Sequence, residues 1–307
     1  MASSVSSTST STSTSTSTST SIISTAATTT TASVTVVATT LLKKRSLVPA
    51  RWAEPAVRAV GMAECREATL TLAHAFAADD YARYLVVDGD GDGDGTSTAA
   101  SEKKDEHKWR LHVDILSYTV ASHCMGGVVT AVGPECDSVA LWIPPGKQID
   151  GWWTQLRSGM WRLPFQLSAE GRKRYFDEIL PLLHDTKAAV LGTRNQDAWY
   201  LVYLGTKPSS QGRGYAARLL QDMMARVDSE NRPMYLESSS QANNAYYEKF
   251  GFEVKRDIFL ERGAVPVRLS AMVREPRVSG GKVAAAYASM SPKGKKFGGV
   301  KGLVLGC

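Results

Sequence analysis

Between residues 54 and 275 the chain alternates helix-spaced apolar patterns with short β-prone runs. "AVRAV" (56–60) alternates and predicts a short strand. "MAECREATLTLAHAFAADDYARYLV" (62–86) carries apolar residues at helical spacing and predicts one or two helices. "EHKWRLHVDILSYTVASHCMG" (106–126) predicts an amphipathic helix. "GVVTAVG" (127–133) and "DSVALWIPPG" (137–146) predict a hairpin, with Pro144-Pro145 ending the second strand. "QLSAEGRKRYFDEILPLLHDTKAAV" (166–190) predicts a helix capped by Ser168, with an apolar face through Phe176, Ile179, Leu180 and Leu183. Pro181 sits inside that pattern and predicts a kink or a break. "AWYLVYLGT" (198–206) is apolar on both faces and predicts a central strand. A helix (212–228), a strand (233–239), a helix closed by Gly251 (241–251) and two more strands (252–261 and 265–275) complete the pattern. No internal repeat interrupts it.

Composition removes both ends from the folded part. Residues 1–40 contain 28 Ser or Thr. Such a tract has too little apolar surface to offset the entropy of ordering, so residues 1–53 are expected to be a disordered extension. The stretch 276–307 is rich in Gly, Lys and small residues and reads as a basic tail. Residues 54–275 then form one domain, with "DGDGDGDG" (88–95) and its surroundings to Lys104 as a loop insertion. The net charge of +6 belongs to the ends: Glu54 to Glu275 holds 26 basic and all 30 acidic residues. A mildly acidic domain is a poor nucleic-acid surface and suits a cationic substrate. Cys65, Cys124, Cys136 and Cys307 are scattered, without a C-x-x-C pair, which argues for a reducing compartment over a disulfide framework. No apolar run approaches the roughly 20 residues of a membrane span. A cytoplasmic location is expected, or a mitochondrial one if "LLKKRSLVPAR" and the Ser/Thr tract act as a transit peptide.

Two motifs raise ligand questions. Asp90, Asp92, Asp94 and Gly95 fit the start of a calcium loop, but position twelve of that frame is Ser101, not Glu, so no metal is expected. Gly212-Arg213-Gly214-Tyr215-Ala216-Ala217 fits the dinucleotide fingerprint G-x-G-x-x-A, with Glu237 where a ribose-binding acid would lie. The context argues against it. "TKPSSQ" separates the strand from the first glycine, and too little chain follows for further βαβ units. Backbone N–H groups bare of side chains at a helix start make an anion cradle, suited to the pyrophosphate of a carrier such as coenzyme A.

Gln211-Gly212-Arg213-Gly214-Tyr215-Ala216 followed by "NNAYYEKFGF" (243–252) resembles the paired motifs of the GNAT N-acetyltransferases. The resemblance is densest over 199–254, and "VALWIPP", "WYLVYLGTKPSSQGRGYAARLL" and "YLESSSQANNAYYEKFGFEV" are most similar to the puromycin-type antibiotic acetyltransferases and their fungal relatives. It implies an α/β (α+β) GNAT fold: a mixed, mostly antiparallel sheet of six to seven strands flanked by helices. It implies an acyltransferase that moves acetyl from acetyl-CoA to a primary amine of a small molecule, as a monomer or homodimer, without nucleic-acid or membrane partners. A protein lysine or N-terminal amine as acceptor, and a non-catalytic acyl-CoA-binding regulator, are the alternatives. By the same resemblance Leu204, Gly205 and Thr206 would offer backbone groups to the pantetheine arm, and residues 211–216 would bind the pyrophosphate. Asn243 would touch the coenzyme or cap its helix. Tyr247 would protonate the leaving thiolate, whereas Tyr246 reads as packing. Glu237 is the first choice for general base, with a water chain as the alternative. Trp142, Trp199 and Tyr203 could wall an amine pocket, although buried aromatics are by default core.

Overall fold

The computed structural model describes residues 56–86 and 98–277. All of them belong to a unit spanning Pro49–Cys307. The Asp/Gly run that fits the start of a calcium loop, both terminal segments and most of the 88–104 insertion lie outside the described residues.

Seven strands form one sheet: β1 (Val57–Ala59), β2 (Val128–Val132), β3 (Ser138–Ile143), β4 (Trp199–Thr206), β5 (Met234–Ser238), β6 (Glu253–Leu260) and β7 (Val267–Arg274). Their spatial order is β1-β2-β3-β4-β5-β7-β6. Every neighbouring pair is antiparallel except β4 and β5, which are parallel. The run that is apolar on both faces, β4, therefore lies in the middle, as its pattern predicts.

The stretch 62–86 contains two helices, α1 (Cys65–Ala75) and α2 (Asp80–Val86). Helix α3 (Thr98–Gly126) starts earlier than its apolar pattern, so the expected loop does not extend to Lys104. Its first turns carry few apolar residues and are held by local charge pairs, Lys108 with Asp105 and Arg110 with Glu106. A long excursion joins β3 to β4 through α4 (Trp152–Ser158), α5 (Leu163–Gln166), α6 (Ala169–Arg172), a π-helical stretch (Lys173–Ile179) and α7 (Leu180–Leu191). Ser168 caps α6, accepting from the Gly171 N–H at 3.0 Å. The irregularity expected at Pro181 is this π stretch: proline lacks the N–H that continues the regular ladder, and the preceding turn widens. No helix among the described residues is long and apolar enough to cross a membrane.

Helices cover both faces of the sheet. On one face α8 (Tyr215–Glu230) buries Leu219, Met223 and Val227 against Trp142, Trp199 and Leu236. Helix α9 (Gln241–Glu248) borders the same cluster through Tyr246 and Tyr247. On the other face α1 and α3 bury Leu72, Leu116 and Val120 against Val129, Leu141 and Tyr203. The β3–β4 excursion adds a further cluster, with Tyr175 and Ile179 packed on α3 and the β6–β7 hairpin.

One buried cation fixes α8. Arg274 at the end of β7 is 1% exposed. It donates to both Asp228 carboxylate oxygens at 2.8 Å and to the Phe250 carbonyl at 3.1 Å. It thereby ties the C-terminal turn of α8 to the loop after α9. Arg274→Ala removes the donor at the Phe250 carbonyl and both guanidinium donors at the Asp228 carboxylate, which keeps only the Arg277 N–H at 2.8 Å, and a loss of about 2–3 kcal/mol is expected. Urea unfolding with an unchanged m-value checks it; a loss under about 0.5 kcal/mol would show that the pair does not hold the helix.

Candidate active site

The cleft begins where β4 and β5 part. They pair only from Trp199 opposite Met234 to Leu201 opposite Leu236. Beyond Leu201, β4 runs on to Thr206 with no β5 residue opposite it. A bulge coincides with the parting. On β3, Leu141 lies opposite Tyr203 and Trp142 opposite Leu201, leaving Val202 as the extra residue. A bulge bends its strand and increases the local twist, which swings the end of β4 away from β5. The β5-facing backbone groups of residues 202–206 are left for a ligand.

The walls of this opening enclose a cleft of about 680 Å³. Of the residues singled out from sequence, Leu204, Gly205, Thr206, Gln211, Gly212, Gly214, Tyr215, Ala216, Glu237, Asn243 and Tyr247 all line it. Arg213 does not; its side chain is exposed on the turn. Gly205 is required by close approach to α1. A Cβ there would lie 2.8 Å from Leu72 Cδ2 and 2.9 Å from Ala75 Cβ.

The turn after β4 is held from below by Asp137. Lys207 N–H donates to its carbonyl at 2.9 Å, and Ser210 Oγ reaches its carboxylate at 3.3 Å. Gly212 and Gly214 have φ of +78° and +77°, a region that disfavours side chains. Nothing lies within 4 Å of where a Cβ would stand at either position, so no side chain or backbone crowds that side of the turn ahead of α8. The turn at which the sequence predicts an anion cradle thus lies at the positive end of a 16-residue helix.

The acid and the phenol come from opposite faces of the sheet. On β5, Met234 and Leu236 point to the α8 face, while Tyr235 packs on the other face with Tyr200. Glu237, two residues after Tyr235, shares that face. Tyr200 donates to Glu237 Oε2 at 2.7 Å, and Oε1 is buried without a hydrogen bond of ordinary geometry among the described residues. Burial pushes the Glu237 carboxyl up to about 7, against the Tyr200 and Tyr235 hydroxyls and the Lys187 ammonium, which favour its charged form. Lys187 is itself lowered by burial, an effect opposed by Glu237. It is held by the Asn195 carbonyl at 3.2 Å and Oδ1 at 3.0 Å. Tyr247 borders the α8-face cluster, its ring edge-on to Phe252 at 5.7 Å. Burial raises its phenol above the ordinary value of 10, which keeps the proton in place.

Several sequence expectations are refined by the geometry. The α9 cap is Ser240, whose Oγ accepts from the Asn243 N–H at 3.2 Å; the Asn243 side chain is not the cap. Trp142 and Trp199 are core at 0% and 1% exposure and do not reach the cleft, whereas Tyr203 does. Phe76, Asp79 and Tyr81, which no motif points to, wall the cleft from the α1–α2 side. Asp79 caps α2 by accepting from the Tyr81 N–H at 3.0 Å, and takes the Ser239 hydroxyl at 2.6 Å. "AADDYARY" contains the capping signal, but only the fold brings that cap to the end of β5. Among the described residues no group of three His, Cys, Asp or Glu side chains is arranged to hold a metal ion.

Comparison with known proteins places the chain in a family. A family model of the acetyltransferase (GNAT) domain matches residues 183–254, the segment holding the cradle, Glu237 and Tyr247. An uncharacterized N-acetyltransferase of Schizosaccharomyces pombe is 38% identical over 221 residues, 72% of this chain and 83% of that protein. A Corynebacterium glutamicum structure described as histone acetyltransferase HPA2 and related acetyltransferase is 21% identical, covering 73% of this chain and 97% of that one, with a TM-score of 0.42. A Drosophila melanogaster polyamine N-acetyltransferase is 13% identical, covering 72% and 100%, with a TM-score of 0.43. The identity to the S. pombe protein, sustained over most of both chains, makes this chain a member of the GNAT acetyltransferase family, an N-acetyltransferase whose co-substrate is acetyl-CoA.

Proposed function

We propose that the acceptor is the primary amine of a small molecule, and that the amine attacks the thioester directly within the parting of β4 and β5. One observation carries this reading: a carboxylate and a phenol reach a single cleft from opposite faces of the sheet. Direct transfer requires a proton to leave the ammonium and another to reach the departing thiolate. Glu237 takes the first and Tyr247 supplies the second. With its carboxyl near 7, Glu237 is basic enough to accept a proton and acidic enough to pass it on. Gly212 and Gly214 leave room for a pyrophosphate against the N-terminus of α8, and the free edge of β4 receives the pantetheine amide groups. Holding the thioester beside the amine supplies the proximity component of the rate. Phe76, Tyr81 and Tyr203 line the acceptor side, where aromatic faces suit a cation. The Asp79–Ser239 contact bridges that side, which favours a compact acceptor over a folded protein surface.

Release of coenzyme A thiol, measured against small amines and against lysine and N-terminal peptides, tests the reading. Turnover on small amines is expected. Turnover on peptides alone would move the acceptor to protein, and binding of acetyl-CoA without turnover on either would overturn catalysis.

Tyr247→Phe is expected to lower kcat at least about 10-fold while acetyl-CoA affinity stays within about twofold. Glu237→Gln is expected to lower kcat/KM by about 100-fold. The stability of that variant has a definite sign. The Glu237 carboxyl rises from an ordinary 4.5 to about 7, so the folded protein binds the proton more tightly than the unfolded chain. Stability is therefore lost as pH rises from 4.5 to 7. Glu237→Gln should melt at a higher temperature than wild type at pH about 8 and should show no such gain near pH 4; a lower melting temperature at pH 8 would contradict the buried charge. Tyr200→Phe removes a donor to the charged form, so the acidic limb of kcat/KM, expected near pH 7, should move to higher pH.

A further inference from the structure

Five of the ten large apolar side chains that are exposed among the described residues lie within residues 152–165. They are Trp152, Trp153, Leu156, Trp161 and Phe165, with exposures from 46% for Leu156 to 81% for Phe165. Trp152, Trp153 and Leu156 occupy neighbouring positions on one side of α4, and the two indoles stack with ring centroids 4.3 Å apart. The same helix turns polar groups inward. Ser158 is buried; its Oγ donates to the Gln155 carbonyl at 3.2 Å and accepts from the Met160 N–H at 3.3 Å. This reverses the usual arrangement of a surface helix. Gly159, with φ of +88°, ends α4, and a Cβ there would lie 3.0 Å from the Tyr118 ring. A 3-10 turn (Met160–Arg162) follows and packs on both α4 and α5. Met160, Leu163 and Leu167 enter the core, whereas Trp161 and Phe165, four residues apart, face out. The inner residues supply the core contacts, so the outer rings are surplus to packing. The charge beside them has one sign. Residues 151–173 contain Arg157, Arg162, Arg172 and Lys173, all exposed, and a single acid. That acid, Glu170, is engaged by Arg262 at 2.9 and 3.2 Å. Arg162 lies over the Trp161 ring, 5.4 Å from its centroid.

We propose that this face docks on the surface of an anionic phospholipid bilayer, with the indole and phenyl rings at headgroup level and the cations on lipid phosphates and carboxylates. Aromatic rings flanked by Arg and Lys are the side-chain set that such an interface takes. Rings that project this far suit a medium that yields around them. Charge argues against the occupants that the molecule itself could supply. A second copy in a two-fold dimer would set this patch against itself, cation against cation. The chain ends, residues 1–53 and 276–307, hold ten cations and no acid, so they repel this face and share its attraction to an anionic surface. The contact is peripheral, since no helix among the described residues is long and apolar enough to cross a membrane. The family resemblance implies no membrane partner, and residues 151–173 lie outside the motifs that carry it.

The test mixes the full-length protein with vesicles of phosphatidylcholine alone, or with about 30 mol% phosphatidylserine, and reads binding by co-sedimentation and indole emission. The protein should sediment with the anionic vesicles, its emission should shift to the blue, and its affinity for phosphatidylcholine alone should be at least about 10-fold lower. Raising the salt to about 0.5 M should weaken the anionic binding. A double variant, Trp153→Ala with Phe165→Ala, should bind anionic vesicles at least about 10-fold more weakly than wild type. Its melting temperature should stay within about 3 °C, because both positions are exposed. Arg157→Glu with Arg162→Glu should weaken binding in the same way. Failure to bind anionic vesicles, or equal binding to neutral ones, would overturn the proposal. So would undiminished binding by both double variants, which would move the contact to the basic chain ends. A wild-type dimer that the Trp153→Ala, Phe165→Ala variant dissociates would give the face to a second copy, and binding to poly-glutamate in place of vesicles would give it to an acidic protein; either result overturns the lipid assignment.

Discussion

The structure depends on a broken partnership. β4 and β5 are, among the described residues, the one parallel pair in an antiparallel sheet, and they hold together for three residues before Val202 bulges and the strands diverge. An unpaired strand edge inside a fold is costly unless something satisfies it. Here the exposed edge is the floor of the cleft. It lies beside the glycine turn, because the strand that swings away is joined to that turn by the short segment 207–211. Both the Asp137 anchors and the α1 contact at Gly205 hold this edge in position.

The parting also sorts the chemistry. A closed sheet would keep Glu237 and Tyr247 on separate faces with a layer of backbone between them. In the proposed mechanism, opening the sheet lets one group act on the attacking amine and the other on the departing sulfur without competing for the same space. Burial then sets both protons. It raises the carboxyl toward neutrality and keeps the phenol protonated. Tyr200, Tyr235 and Lys187 limit the first effect, so Glu237 stays within reach of ionisation. The β3–β4 excursion provides Lys187 and Leu183 from α7, so a segment far from the paired motifs shapes the acid's surroundings.

Much of this was legible in the chain. β4 announces itself by being apolar on both faces, and Pro181 marks the irregular turn before α7. The order of the glycine turn and "NNAYYEKFGF" located one wall of the cleft, since both motifs act through local backbone geometry. What was not legible depends on long-range packing. Helix α4 is short and bounded by Gly151 and Gly159, and α5 has four residues, so both are too brief for a periodic signal. Tyr200 and Glu237 are 37 residues apart and meet only because β4 and β5 are neighbours. Asp79 reads locally as a cap, and its second role at Ser239 spans 160 residues.

The central claim is that the free edge of β4 and the turn before α8 bind acetyl-CoA. Backbone hydrogen exchange with and without acetyl-CoA tests it most directly, because the claim concerns N–H groups. The account predicts slowed exchange in the peptides covering 202–206 and 211–217, with the solvent-exposed strand β6 unchanged. Protection absent from both segments while acetyl-CoA is bound would contradict it.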